Sequence, residues 1–207
     1  MPDADHPAPA SLKLGAVLLA AGGSSRMGSA KQLLEVGGKP MIARAVDAAL
    51  GSGARPVVVV LGASAEKVGA RIADRAVLTA QNPDWKTGLA SSIRVGLDTL
   101  LRAEPSLDAV LLAPCDQPAL SAEVIMLLAA LHRATRRASA ARFRGRNGAP
   151  AVFGRDHFDA LMALSGDEGA RKLLNSGSER VVAIELPDLG VDLDTPADYA
   201  AWKDRQA

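Results

Sequence analysis

Chemistry in this chain concentrates where cations, glycines and carboxylates stand at short spacing. The densest run is Leu19-Ala20-Ala21-Gly22-Gly23-Ser24-Ser25-Arg26-Met27-Gly28-Ser29-Ala30-Lys31-Gln32. An apolar stretch ends there in small residues, then a glycine pair, then Arg26 and Lys31. Small side chains let backbone N–H groups approach phosphate oxygens. The cations can neutralise a polyphosphate, and a guanidinium can grip two oxygens at once. A strand-to-turn connection with two surface cations is the bland alternative. The run is not a Walker A loop: Gly23 and Gly28 have its glycine spacing, but Ser29-Ala30 stands where Lys-Ser/Thr is required. It contains no G-x-G-x-x-G fingerprint either.

Four further segments carry candidate groups. Asp116, in Ala113-Pro114-Cys115-Asp116-Gln117-Pro118, follows an apolar strand and either binds Mg²⁺, which takes one or two carboxylates plus substrate phosphates, or starts a turn. Cys115 has no histidine base nearby in sequence and reads as a packed residue. In Val191-Asp192-Leu193-Asp194-Thr195-Pro196, two carboxylates at i and i+2 of an extended segment point the same way. Asp192 is favoured for the metal and Asp194 for capping a helix. Gln81 to Ile93 is a polar loop feeding a helix with small residues, suited either to reading a base edge or to capping by Thr87 and packing by Trp85. Gly166-Asp167-Glu168-Gly169-Ala170-Arg171 is a phosphate-binding turn or a plain connection.

The elements that must position these groups alternate. Strands are expected at Leu14–Ala20, Val57–Leu61, Ala76–Thr79, Asp108–Ala113 and Arg180–Ile184. Ser139–Arg144 and Pro150–Phe153 read as two more, joined by a Gly145-Arg146-Asn147-Gly148 turn. Helices are expected at Met41–Leu50, Leu89–Leu101, Ala122–Arg133 behind a Ser121 cap, Asp156–Leu164, Glu168–Leu174 and Pro196–Trp202, with Ser64 capping one through Ile72. Alternation with short connections predicts an α/β fold: a three-layer, Rossmann-like, mostly parallel sheet. Ligands in such sheets bind beyond the strand C-termini, so the glycine loop and Asp116 belong on one edge.

Composition narrows the functional classes. A chain of 207 residues fits one large domain, expected over residues 13–207 behind a disordered, Pro/Ala-rich tail over 1–12. Aromatic content of 3% leaves few platforms for stacking single-stranded nucleic acid, and a net charge of +1 exerts no global pull on polyanions or membranes. The start lacks a secretory pattern and no apolar run has spanning length, so a cytoplasmic location is expected. One cysteine and three histidines without ligand spacing exclude a zinc pattern. Arg133, Arg136, Arg137, Arg142, Arg144 and Arg146 form a basic cluster, either a solvated face or a dock for an anionic substrate. No nucleophile–base set or carboxylic acid pair suggests covalent or glycosidic chemistry, whereas phosphoryl-type transfer needs mainly positioning and charge neutralisation.

The chain resembles the molybdenum-cofactor nucleotidyltransferase family (MobA-like NTP transferases), in particular its molybdopterin cytidylyltransferase branch. The signature L-A-A-G-x-S-x-R-M-G-x-x-K is matched by Leu19 to Lys31. Asn82-Pro83-x-Trp85-x-x-Gly88, Asp116-Gln117-Pro118, Pro150-Ala151-Val152-Phe153, Gly166-Asp167-x-Gly169-Ala170-Arg171 and Asp192-Leu193-Asp194-Thr195-Pro196 follow in order. The resemblance implies the nucleotide-diphospho-sugar transferase fold and Mg²⁺-dependent transfer of CMP from CTP to the terminal phosphate of a molybdopterin-type acceptor, releasing pyrophosphate. It implies that Leu19, Ala20 and Ala21 border base and ribose, that Gly22, Gly23 and Ser24 donate to phosphates, and that Arg26 holds the β and γ phosphates. Lys31 would meet charge developing at the α phosphate, and Asp116 would bind Mg²⁺ with Asp192 assisting. Gly88, Ser91 and Ser92 complete the expected nucleotide site, with Ser91 or Ser92 on cytosine. Ala21 stands where the guanylyl branch carries glycine; its methyl favours CTP over GTP. Gly148-Ala149-Pro150 departs from the Gly-His-Pro or Gly-Asn-Pro of many relatives, and Asn147 is the neighbouring polar group that can compensate. Methylerythritol phosphate or a sugar phosphate is the alternative acceptor. A non-catalytic cofactor carrier for a molybdenum hydroxylase is the alternative function; in the leading reading such a hydroxylase is the recipient partner.

Overall fold

The computed structural model describes residues 12–23, 30–175, 181–191, 193, 198–200 and 202. Apart from Leu12, the expected tail lies outside them, as do Ser24, Arg26, Asp192, Asp194 and the start of the expected helix Pro196–Trp202.

Continuous apolar runs, buried on both faces, form the heart of the sheet. Its strands are β1 (Leu14–Ala20), β4 (Val57–Leu61), β5 (Leu78–Gln81), β6 (Ala109–Pro114), β7 (Ala138–Phe143), β8 (Arg146–Gly154) and β9 (Val181–Glu185). A separate small ribbon pairs β2 (Glu35–Val36) with β3 (Lys39–Pro40). The seven-stranded sheet has the order β5-β4-β1-β6-β8-β7-β9. Among its described strands β8 alone runs against its neighbours, antiparallel to both β6 and β7, while the other pairs are parallel. The expected mostly parallel α/β sheet is what forms.

Strand alternation sorts side chains into two cores, one per face. Leu14, Ala16, Leu18 and Ala20 face helices α1 (Met41–Gly51) and α4 (Ala122–Thr135), through residues such as Ile42, Val46, Ile125 and Leu128. Val17, Val58, Val60 and Leu112 face α3 (Leu89–Ala103) and α5 (Phe158–Met162), through Ile93, Leu97, Leu100 and Leu161. α3 lies close against the sheet because Gly96 has no side chain: a Cβ there would stand 2.4 Å from a Val17 methyl. That approach brings the start of α3 to the C-terminal edge of β1. Among the described residues, no helix is long and apolar enough to cross a membrane.

Five local expectations are corrected. The helix behind Ser64, α2, spans only Ala65–Gly69; tighter i→i+3 bonds carry the chain on to Ile72, and the Ser64 side chain makes no cap bond. β5 starts at Leu78 because Val77 N–H closes a turn onto Arg75 O. The hairpin turn is two residues, Arg144 and Gly145, both at positive φ (51° and 72°). Such a turn matches the twist of the strands it joins. Arg146, Asn147 and Gly148 therefore pair with β7 as strand. The 155–164 segment splits into a 3-10 turn, Arg155–His157, and α5. The short helix that follows, α6, is Arg171–Asn175, which leaves Glu168 to Ala170 as an irregular segment. Ser121 does cap α4, its oxygen accepting from Val124 N–H at 3.3 Å.

Candidate active site

Parallel strand ends expose unpaired backbone on one edge, and the sequence motifs gather there. β1 ends at Ala20 and the chain continues through Ala21, Gly22 and Gly23. Lys31 returns at the head of a short 3-10 turn, Lys31–Leu33. β6, hydrogen-bonded beside β1, ends at Pro114 and is followed by Cys115 and Asp116. Lys31 Nζ and Asp116 Oδ2 stand 4.0 Å apart, with the side chains 12% and 34% exposed. The cation and the carboxylate that the sequence placed on one edge are thus brought together.

Two carboxamides brace this edge. Gln32 Nε2 donates to Ala20 O at 3.0 Å and Gly22 O at 2.9 Å, tying the loop back to its strand. Gln117 Nε2 donates to Ala149 O at 2.9 Å and Leu189 O at 3.1 Å, joining the Asp116 turn to β8 and to the 3-10 turn Pro187–Gly190. In each case both partners are carbonyls, which can only accept, so the orientation of the amide is determined. The two Oε1 atoms are buried without a hydrogen-bond partner among the described residues. Sequence reasoning assigned neither residue to the site; the signal was present, since each directly follows Lys31 or Asp116.

A cavity of about 950 Å³ opens beside the pair. Leu19 of β1 and Ala21 and Gly22 of the loop after it line the cavity, with Leu89, Ser92 and Ile93 from α3. Asp116 and Gln117 line the β6 side, and Phe143, Arg146 and Ala149 the hairpin side. The 167–172 segment and Asn175 close it. Of the other expected nucleotide residues, Ala20, Gly23, Gly88 and Ser91 stand outside this lining. Gly23 lies under Trp85, whose ring would be 2.9 Å from a Cβ there. Ser91 Oγ accepts from Asn82 Nδ2 at 2.8 Å and turns its proton toward Gly88 O (2.8 Å) and Asp84 O (3.2 Å). Ser92 Oγ accepts from the same Asn82 amide at 2.9 Å, which leaves its proton for the cavity. Asn82 is therefore the buried post that sets both serines.

The two polar motifs of unassigned role dock on each other. Gly88 has φ 116° and packs on Gly166, and Ala90 N–H donates to Gly166 O at 3.1 Å. Arg94 holds Leu164 O, and Gly169 lies under Leu89. Asn147 does not reach the cavity. Its Nδ2 donates to Leu174 O at 3.0 Å and its Oδ1 accepts from Arg142 Nε at 2.9 Å, so it is engaged within the protein and does not replace a polar group at Ala149.

Burial and, second, the Asp116 charge push the Cys115 thiol above its ordinary range, against a smaller opposing influence of Lys31. The thiol is a packing group. Among the described residues, no group of three or more His, Cys, Asp or Glu gathers to hold a metal. One partly exposed carboxylate at a strand end fits a Mg²⁺ ion that draws its remaining ligands from substrate phosphates and water.

Comparison with known proteins agrees with this arrangement. The model of the MobA-like NTP transferase domain matches residues 16–181. Nicotine blue oxidoreductase of Paenarthrobacter nicotinovorans is 35% identical over 191 residues, covering 86% of this chain and 91% of that protein. The purine catabolism protein PucB of Bacillus subtilis is 33% identical over 194 residues, covering 88% and 92%. Rv0371c of Mycobacterium tuberculosis superposes with a TM-score of 0.76 at 28% identity, over 94% of this chain and 99% of that one. A structure of that protein in complex with manganese gives a TM-score of 0.72 at 28% identity over 91% and 97%.

Proposed function

The chain belongs to the MobA-like NTP transferase family, and on that footing we propose that it transfers CMP from CTP to the terminal phosphate of a molybdopterin-type acceptor, releasing pyrophosphate. The observation that carries this reading is the Lys31–Asp116 pair at the mouth of a cavity walled by the β1 loop. An acceptor phosphate oxygen attacks the α phosphorus, and the bond to the bridging oxygen of the β phosphate breaks. Lys31 Nζ neutralises charge that grows on the α-phosphate oxygens during this step. Backbone donors of Gly22 and its neighbours, with Ser24 and Arg26, hold the triphosphate, and the Gln32 brace keeps that loop in place. Asp116, assisted by Asp192, would hold Mg²⁺, which supplies charge neutralisation between the phosphates. The manganese complex of Rv0371c supports a divalent ion in a related fold. Ala21, on the cavity wall, supports the smaller pyrimidine base, and Ser92 offers its proton to it.

"Oxidoreductase" in one relative's name describes that protein; here the ordered motifs and the paired cation and carboxylate support nucleotidyl transfer. The nucleotide-modified product would pass to a molybdenum hydroxylase. The test is pyrophosphate release from labelled CTP or GTP with Mg²⁺ and molybdenum cofactor. Release with CTP, and far less with GTP, is expected; none with either nucleotide rejects the proposal.

A further inference from the structure

We propose that Arg146 and Arg171 form a two-guanidinium clamp for the phosphate of the acceptor substrate. The inference rests on the transferase reading and names the part of the cavity that the second substrate occupies. Sequence places these arginines 25 residues apart, in a hairpin strand and in a short helix. The fold fastens the two segments that carry them to each other, and both side chains line one cavity. Asn147 N–H donates to Asn175 Oδ1 at 3.3 Å, and Asn175 Nδ2 donates back to Asn147 O at 3.0 Å. The same Nδ2 donates to Arg171 O at 2.7 Å, and Asn147 Nδ2 to Leu174 O at 3.0 Å. Three of these hydrogen bonds lock the start of β8 to α6, and the one to Arg171 O ties the latch to the arginine's own turn. Arg146 is the residue before one end of this latch, and Arg171 stands one turn before the other.

Both arginines line the cavity, both are exposed, and neither forms an ion pair with a described residue. Their basic neighbours are engaged elsewhere. Arg142 bonds Asn147 and approaches Glu185 at 3.8 Å, and Lys172 is paired with Glu168 at 2.8 Å. Asp167 and Glu168 line the same wall; Glu168 is held by that lysine. The clamp lies on the β8 side of β6, whereas the glycine loop lies on the β1 side. Asp116 follows β6, between the two. A phosphate on the clamp therefore approaches the Lys31–Asp116 pair from the side opposite the nucleotide. Two planar guanidiniums suit a phosphoryl dianion, which accepts bidentate bonds. Asn175 is a positioning residue in this scheme.

The test separates the clamp from the identity of the acceptor. The protein is saturated with Mg²⁺ and cytidine 5′-(α,β-methylene)triphosphate, which fills the nucleotide half, and inorganic phosphate is titrated by calorimetry. One phosphate is expected to bind. Arg146→Gln and Arg171→Gln should each weaken it at least about tenfold, as loss of a charged hydrogen bond does, with Lys at either position restoring part of the affinity. Asn175→Ala should weaken it with both arginines present, and its nucleotide affinity should stay within about twofold of wild type. Phosphate binding that both Gln variants leave unchanged, or none in wild type, overturns the clamp. Steady-state pyrophosphate release from CTP with molybdopterin, methylerythritol phosphate or glucose 1-phosphate then shows which acceptor is used. Use of one of the other two overturns the acceptor reading and leaves the clamp standing, provided the Gln variants raise the acceptor KM and not the CTP KM.

Discussion

Gly88→Ala tests the idea that this glycine joins two site walls by close packing. Its φ of 116° and ψ of 170° place it in left-handed, extended backbone. That region is essentially glycine's alone, and holding alanine there costs about 1–3 kcal/mol. A Cβ would also stand 2.2 Å from both the carbonyl carbon and oxygen of Gly166, which is backbone and cannot swing away. Relief requires the 165–168 turn to part from the start of α3, an overpacking cost of about 1–3 kcal/mol more. The expected destabilisation is about 2–6 kcal/mol, and at about 2–4 °C per kcal/mol in a chain of this size the melting midpoint falls by several degrees at least. Gly166→Ala is the control. It too has positive φ (57°), but among the described residues no atom lies within 4 Å of a Cβ built there. Strain alone, about 1–2 kcal/mol, therefore applies. Urea unfolding monitored by circular dichroism measures both. Because Leu89, Ser92, Asp167 and Gly169 all line the cavity, Gly88→Ala should also raise the CTP KM. A Gly88→Ala protein within about 0.5 kcal/mol of wild type, or no less stable than Gly166→Ala, would refute the packing argument.

Lys31→Ala and Asp116→Ala should each lower turnover at least ~10²-fold while leaving the urea midpoint close to wild type, since the pair acts on charge in the reaction more than on folding. Cys115 should resist thiol-specific reagents in the folded protein and react fully in urea, because burial and the adjacent Asp116 disfavour its thiolate. Its raised thiol value also means that stability falls as pH climbs above the ordinary 9.0, and Cys115→Ser should flatten that limb. For Asp47 of α1, burial alone raises the carboxyl, but hydrogen bonds and charges of Lys39 and Arg75 outweigh it and hold the group below 3.8. Its contribution is therefore present above that value and lost as pH falls through the depressed one, so Asp47→Asn should lose less stability than wild type on acidification. An acid limb identical in the two proteins would remove that assignment.

Local pattern was sufficient for much of this molecule. Val57–Leu61 could only be a buried strand, and the β-branched run is found as that strand without a residue's error. Ser121 and the apolar spacing behind it specify a capped helix through short-range bonds alone. Lys31 and Asp116 were legible as a pair because parallel strands joined by crossovers place all their C-terminal ends on one edge. Elements held by few local bonds were read less well. The 165–171 segment has no period of its own, and its shape comes from docking on α3 through Gly88, Arg94 and Leu89. The hairpin turn shortened from the four expected residues to Arg144 and Gly145 because Arg144 accepts positive φ to satisfy the β7–β8 register, a requirement set across the sheet.

What residues are present, and which of them can neutralise phosphate or fill a strand, follows from the chain order itself, since charge, size and branching act locally. Which groups remain available to a substrate was decided only by folding. Asn147, polar and well placed in sequence, is consumed by Leu174 and Arg142, while Arg146 beside it stands at the cavity rim with no ionic partner among the described residues. The reason is that hydrogen-bond capacity is finite, and contacts between segments distant in sequence determine where it is used.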